Sequence, residues 1–89
     1  MFKEGELYSI CSLVEVILMP FDLFLKNKAD NFIDYKSRLV LNSESEPNTF
    51  MFIEYVYDEY QTKYSKVLYQ KNIYVMKAPY HISDYIKKC

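Results

Sequence analysis

Apolar and polar residues alternate with a period of two over most of this chain. That spacing predicts strands, whose successive side chains point to opposite faces. In ELYSICSLVEVILM (6–19), Val14, Val16 and Leu18 share one face, while Leu13, Glu15 and Ile17 share the other, so the stretch reads as one long first strand. Pro20 has no amide hydrogen to donate, and it ends that ladder or marks an edge. FDLFLK (21–26) fits a short strand and SRLVLN (37–42) another. The polar, acidic SESEPN loop follows with the turn pair Pro47-Asn48 and is the stretch best suited to mobility.

TFMFIEYVYDEY (49–60) carries an aromatic or aliphatic residue at eight of its twelve positions. Strict alternation places Met51, Ile53, Tyr55 and Tyr57 on one face and Phe50, Phe52, Glu54 and Val56 on the other. YSKVLYQ and IYVM follow, joined at Lys71-Asn72; asparagine tolerates a left-handed conformation, so QKNI reads as a two-residue hairpin turn. The spacing predicts three successive antiparallel strands over 49–57, 64–70 and 73–77. KNKADNFIDYK offers Phe32 and Tyr35 at i, i+3 for a short helix between 26 and 36, and PYHISDYIKK fits one helical turn and a closing strand. The chain has no internal repeat, linker or heptad pattern, and its length makes it a single domain, 1–89.

Composition sharpens this picture. Half the residues are apolar, and ten Tyr and six Phe stand beside no Trp. Aromatic side chains bury roughly 150–250 Å² each, which lets a short chain assemble a core. The formal net charge is −1. Acids outnumber bases eight to five through Asn48, and bases lead six to four from Thr49 onward. A dominant basic face for phosphate is therefore excluded. Cys11 and Cys89 read as free thiols of a reducing cytosol. The acids in MFKEGELY do not suit a signal peptide, and Glu15, Pro20 and Asp22 interrupt the one long apolar stretch, too polar for a membrane span. The expectation is a soluble cytoplasmic protein.

Catalytic chemistry finds few parts. His81 is the sole histidine, with Asp84 at i, i+3 and Ser83 as the only local nucleophile, and it reads as the cap of a terminal turn. One histidine and two distant cysteines make no zinc cluster. Asp58-Glu59 reads as solvated loop charge rather than a proton-sharing or cation-holding pair. Gly5 is the only glycine, which rules out a phosphate-cradling loop. The chain is expected to be no enzyme and to need no cofactor, metal or small-molecule substrate.

FKEGELY (2–8), KVLYQKNIYVM (66–76) and HISDYIKK (81–88) resemble the opening strand, hairpin ladder and ending of the small SH3-like β-barrel proteins of tailed bacteriophages. The resemblance covers about a third of the chain. It implies an all-β fold with at most one short helix, a small antiparallel barrel ending in a three-strand meander, and a phage-encoded viral protein in the host cytoplasm. It carries over no functional residues.

The rings give the functional expectation. A barrel this small has one interior, and residues 49–76 hold more rings than one core accommodates. Phe50, Phe52 and Val56 are assigned to the core and some of Tyr55, Tyr57, Tyr60, Tyr64 and Tyr69 to a contact surface, since exposed tyrosine is a frequent interface anchor. Alternation does not say which face is inside, so the reverse parity is the alternative. The reading is a non-enzymatic protein-binding module that docks a tyrosine-rich sheet face or edge strand onto a host or viral protein, or onto itself. A nucleic-acid-binding barrel that stacks bases on Tyr is a second reading, with Lys63, Lys66, Lys71 and Lys77 near the meander but an acidic pI against it. A structural virion or assembly component is a third.

Overall fold

The computed structural model describes residues 2–13, 15–27, 38–77 and 86–88. Within them the chain forms seven strands and one short helix: β1 (Leu7–Ile10), β2 (Val16–Pro20), α1 (Phe21–Asn27), β3 (Leu39–Leu41), β4 (Thr49–Tyr57), β5 (Lys63–Tyr69), β6 (Asn72–Lys77) and β7 (Ile86–Lys88). The strands make a single antiparallel sheet in the order β3-β2-β6-β5-β4-β1-β7. One buried cluster draws on all seven strands: Tyr8, Ile10, Val16, Leu18, Leu41, Phe50, Phe52, Val67, Tyr69, Met76 and Ile86, with Phe2 from the N-terminal segment. The sheet is therefore curled around that cluster, giving a small all-β, barrel-like fold with an inner and an outer face.

The meander β4-β5-β6 occupies the centre of the sheet, as the alternation predicts, and its registers fix both faces. Met51 pairs with Leu68 and Phe52 with Val67 across β4-β5; Val67 pairs with Tyr74 and Leu68 with Ile73 across β5-β6. The tight turn falls one residue earlier than the sequence suggests. Gln70 (φ 47°) and Lys71 (φ 70°) hold the left-handed conformations that a two-residue hairpin demands, and Asn72 opens β6. Asn72 Nδ2 donates to the Gln70 carbonyl at 3.3 Å, so the asparagine supports the turn from its flank.

Two expectations about the first half are corrected. Residues 6–19 are not one long strand. β1 pairs with β4 and β7, whereas β2 pairs with β3 and β6, and exposed Cys11, Leu13 and Glu15 lie between them. Ile10 and Val16 both reach the inner core from opposite sides of this break, so the periodicity of two strands reads as one. FDLFLK is a helix rather than a strand. It begins after Pro20, carries Asp22 in its first turn and Lys26 in its last, where each suits the helix dipole, and has Phe21 and Phe24 at i, i+3. The short helix expected between 26 and 36 lies largely outside the described residues, as does the terminal turn over 78–85; the closing strand is β7.

Hydrogen bonds meet SESEPN at several points. Asn42 Oδ1 accepts from the Glu44 amide at 2.8 Å, Ser43 N donates to the Ser12 carbonyl, and the Tyr69 hydroxyl donates to the Pro47 carbonyl at 2.7 Å. Asn48 and Ile10 exchange hydrogen bonds, Asn48 Nδ2 to Ile10 O and Ile10 N to Asn48 O, each 2.9 Å. The Glu46–Pro47 peptide is cis.

Candidate interaction surface

A β-bulge decides where the rings of β4 go. Phe52 pairs with Val67, but the next pair is Glu54 with Lys66: β4 advances two residues while β5 advances one. Ile53 is the extra residue, and it shifts the alternation by one. Tyr55 therefore returns to the side of Phe52, with ring centroids 4.8 Å apart, and Val56 turns to the opposite side. This corrects the strict alternation read from the sequence. Phe50 and Phe52 are core; Val56 is only partly buried and packs in a second cluster with Met19, Phe24, Tyr64 and Val75.

The five tyrosines assigned to a contact surface are not brought together. Tyr57 and Tyr60 are exposed, at 55% and 75%. Tyr55 is partly buried: its hydroxyl accepts from the Phe2 amide at 3.2 Å, and Lys63 Nζ stands 4.0 Å from its ring centroid. Tyr64 and Tyr69 are buried, so their assignment to an exposed face is corrected. Tyr69 packs edge-on against Tyr74 at 6.3 Å; burial, then the neighbouring Tyr74, push its phenol above the ordinary range. Tyr64 lies under Phe24 at 5.2 Å, and its hydroxyl donates to Asp58 Oδ2 at 3.0 Å. A phenol can be sealed in when its one polar atom meets a fixed acceptor.

Asp58 is that acceptor, and it organises the β4-β5 loop. Oδ1 also accepts from the amides of Tyr60 at 2.8 Å and Thr62 at 2.9 Å, while Gln61 takes a left-handed φ of 66°. Burial alone would raise its carboxyl, but hydrogen bonds from the Thr62 backbone, the Tyr64 hydroxyl, the Tyr60 backbone and the Thr62 side chain outweigh that and hold it below its ordinary value. Asp58 is a structural carboxylate, not loop charge open to solvent. His81, Ser83 and Asp84 lie outside the described residues, and no group of three or more His, Cys, Asp or Glu among the described residues could hold a metal ion.

The outer face of the sheet divides in two. Over β2, β5 and β6, α1 lays Phe21 and Phe24 on Met19, Tyr64 and Val75, with Ile17, Leu23 and Val56 at the margin. Beside it an apolar row crosses four strands in register: Leu7 on β1 pairs with Met51 on β4, Met51 with Leu68 on β5, and Leu68 with Ile73 on β6. All four residues alternate with core residues, so all four point outward. Leu7 is 54% exposed and Ile73 42%, while Met51 and Leu68 between them are partly exposed. Glu54 and Lys66 lie between this row and α1, 3.4 Å apart, with Lys66 Nζ also 4.3 Å from the Phe21 ring centroid. At the Ile73 end the row opens into a groove of about 520 Å³ lined by Pro20, Phe21, Asp22, Lys71, Asn72, Ile73 and Tyr74.

Sequence reasoning missed this row because it followed the tyrosines. The signal was present: once Tyr8 and Ile10, Phe50 and Phe52, and Val67 and Tyr69 face inward, Leu7, Met51 and Leu68 must face outward, and each is aliphatic where a solvated face would be polar. No helix among the described residues is long and apolar enough to cross a membrane. No protein-family model, curated protein or solved structure matches the chain.

Proposed function

We propose that the chain is a small, non-enzymatic protein-binding module that meets its partner through the uncovered part of its outer sheet face. One observation carries this reading: Leu7, Met51, Leu68 and Ile73 form an unbroken cross-strand row with no cover among the described residues. A contiguous aliphatic strip on a small protein marks a contact surface more often than scattered exposed residues do. The core gives no reason for it, since these side chains stand on the far side of the sheet from the inner cluster. Tyr57 and Tyr60 sit at the loop end of the hairpin, outside the row.

The test is capture from cell extract by the parent protein and by the Leu7→Ser/Ile73→Ser variant. A specific partner retained by the parent and lost by the variant, with cooperative thermal unfolding kept, is the expected result. An identical set of captured proteins would remove the row from the function.

A further inference from the structure

The inference rests on reading the uncovered face as a contact surface, and it concerns what that surface holds. β1, β4, β5 and β6 are all interior strands, hydrogen-bonded to a neighbour on each side. No row of free amides or carbonyls is offered there, so an incoming segment cannot add itself as a strand. Its own backbone groups must be satisfied internally, because leaving them unpaired against an apolar surface costs about 1–3 kcal/mol each. A helix meets that condition. The protein already uses this solution next door, where α1 seats Phe24 on Met19, Tyr64 and Val75 of the same face.

Size and charge narrow the occupant further. Three inter-strand gaps span roughly 14 Å, the length of about nine or ten helical residues, so two to three turns of one helix match the row. A second copy of this chain fits poorly. A stable pair of proteins buries about 800 Å² on each side, and four side chains on the convex side of a curled sheet offer much less. Each end of the row also carries an exposed lysine. Lys87 lies on β7 across from Ser9, diagonal to Leu7, and Lys71 sits in the turn beside Ile73; both are exposed and have no ion-pair partner among the described residues. Glu54 is already matched to Lys66 and Glu6, next to Leu7, to Lys88, while Asp22 lines the groove beside Lys71.

We propose that the uncovered half of the outer face receives an amphipathic α-helix of a partner protein, with acidic residues flanking its apolar stripe, seated beside α1. The helix supplies aliphatic side chains to Leu7, Met51, Leu68 and Ile73, and its carboxylates meet Lys71 and Lys87.

The experiment uses the full chain and three labelled synthetic peptides, read by fluorescence anisotropy at low salt. The first is a three-turn peptide with Leu at i, i+3/i+4 and i+7 and Glu at both ends. The second replaces each Glu with Lys, and the third has a central proline. The acidic peptide is expected to bind on the order of fivefold more tightly than its lysine counterpart, as two rim charge pairs allow. The proline peptide should lose most binding, and Lys71→Glu/Lys87→Glu should reverse the charge preference. Equal binding of the acidic and basic peptides overturns the acidic partner, and undiminished binding of the proline peptide overturns the helix; in both cases the contact face stands. If Leu7→Ser/Ile73→Ser leaves peptide binding intact, the contact face itself falls. Absence of binding by all three peptides overturns the inference. So does reversible self-association of the parent, seen by sedimentation equilibrium and abolished by that double variant, which would make a second copy the occupant.

Discussion

Val75 and Ile73 stand two residues apart on β6, both pointing out of the barrel, and they meet opposite fates. Val75 is fully buried beneath α1, with Phe24, Met19 and Tyr64 around it, while Ile73 is 42% exposed at the end of an uncovered aliphatic row. The side chains are of nearly the same kind; the cover differs. A seven-residue helix is only about 10 Å long, and α1 spends that length on the β2, β6 and β5 side of the face. One half of the outer face is thus a second core that contributes to folding. The other half resembles a core in composition and lacks the layer that would make it one. An apolar side chain on a strand does not announce whether its burial comes from within the chain or from a partner.

The largest effect should come from removing the cover. Phe24→Ala takes the ring off Tyr64 and leaves Val75 and Met19 under a void, which should cost about 3–5 kcal/mol in urea-induced unfolding. If α1 only decorates the sheet, the loss will be small and the contrast between the two halves disappears. The same variant should enlarge the exposed apolar surface and raise binding of a hydrophobic dye.

Asp58 holds the covered half in place through Tyr64, and its titration tests that link. Its folded carboxyl lies below the ordinary value, so as pH falls the unfolded chain takes up a proton first. The stability Asp58 contributes is therefore complete above the ordinary carboxylate range and is lost as pH drops through the folded value. Asp58→Asn should lower the urea midpoint at neutral pH, and the gap to the parent should narrow in acid. A gap independent of pH would mean that the Tyr60, Thr62 and Tyr64 bonds do not depend on the charge.

Much of the fold was legible because period two is a backbone property. The meander follows from alternation and the turn signal at QKNI, and so does the sharing of one face by Phe50 and Phe52; alternation does not say which face is inside. Three things were not legible, each for a physical reason. The bulge at Ile53 has no local sequence mark, since either neighbour could be the extra residue, and it moved Tyr55 and Val56 to the opposite sides. FDLFLK is too short to separate helix from strand by periodicity, and its packing on Met19 and Val75 decides the matter. Tyr64 and Tyr69 can be buried because Asp58 and the Pro47 carbonyl, six and twenty-two residues away, accept hydrogen bonds from their hydroxyls, which ring counting cannot foresee.

A smaller effect is expected inside the barrel. Ser65 is fully buried between Tyr55 and Met76 in the registers, and its Oγ finds no hydrogen-bond partner among the described residues. Ser65→Ala removes a desolvated hydroxyl and little volume, so it should stabilise the protein by about 1 kcal/mol. A destabilised variant would show that the hydroxyl is engaged.

The smallest effect on folding should fall on the row itself, and its smallness is what separates the two halves. Leu7→Ser and Ile73→Ser each remove an aliphatic side chain from a strand, as a core substitution would. Yet Leu7 is 54% and Ile73 42% exposed, and neither supports a neighbour in either buried cluster. Each should shift stability by no more than about 0.5 kcal/mol, the range of ordinary surface changes, measured by urea unfolding beside Phe24→Ala. Serine also lowers strand preference slightly, more from β-branched Ile73 than from Leu7, and the two losses should add. A loss of several kcal/mol from either would place the row among the structural contacts of the monomer, and these aliphatic side chains would then belong to the fold rather than to a partner.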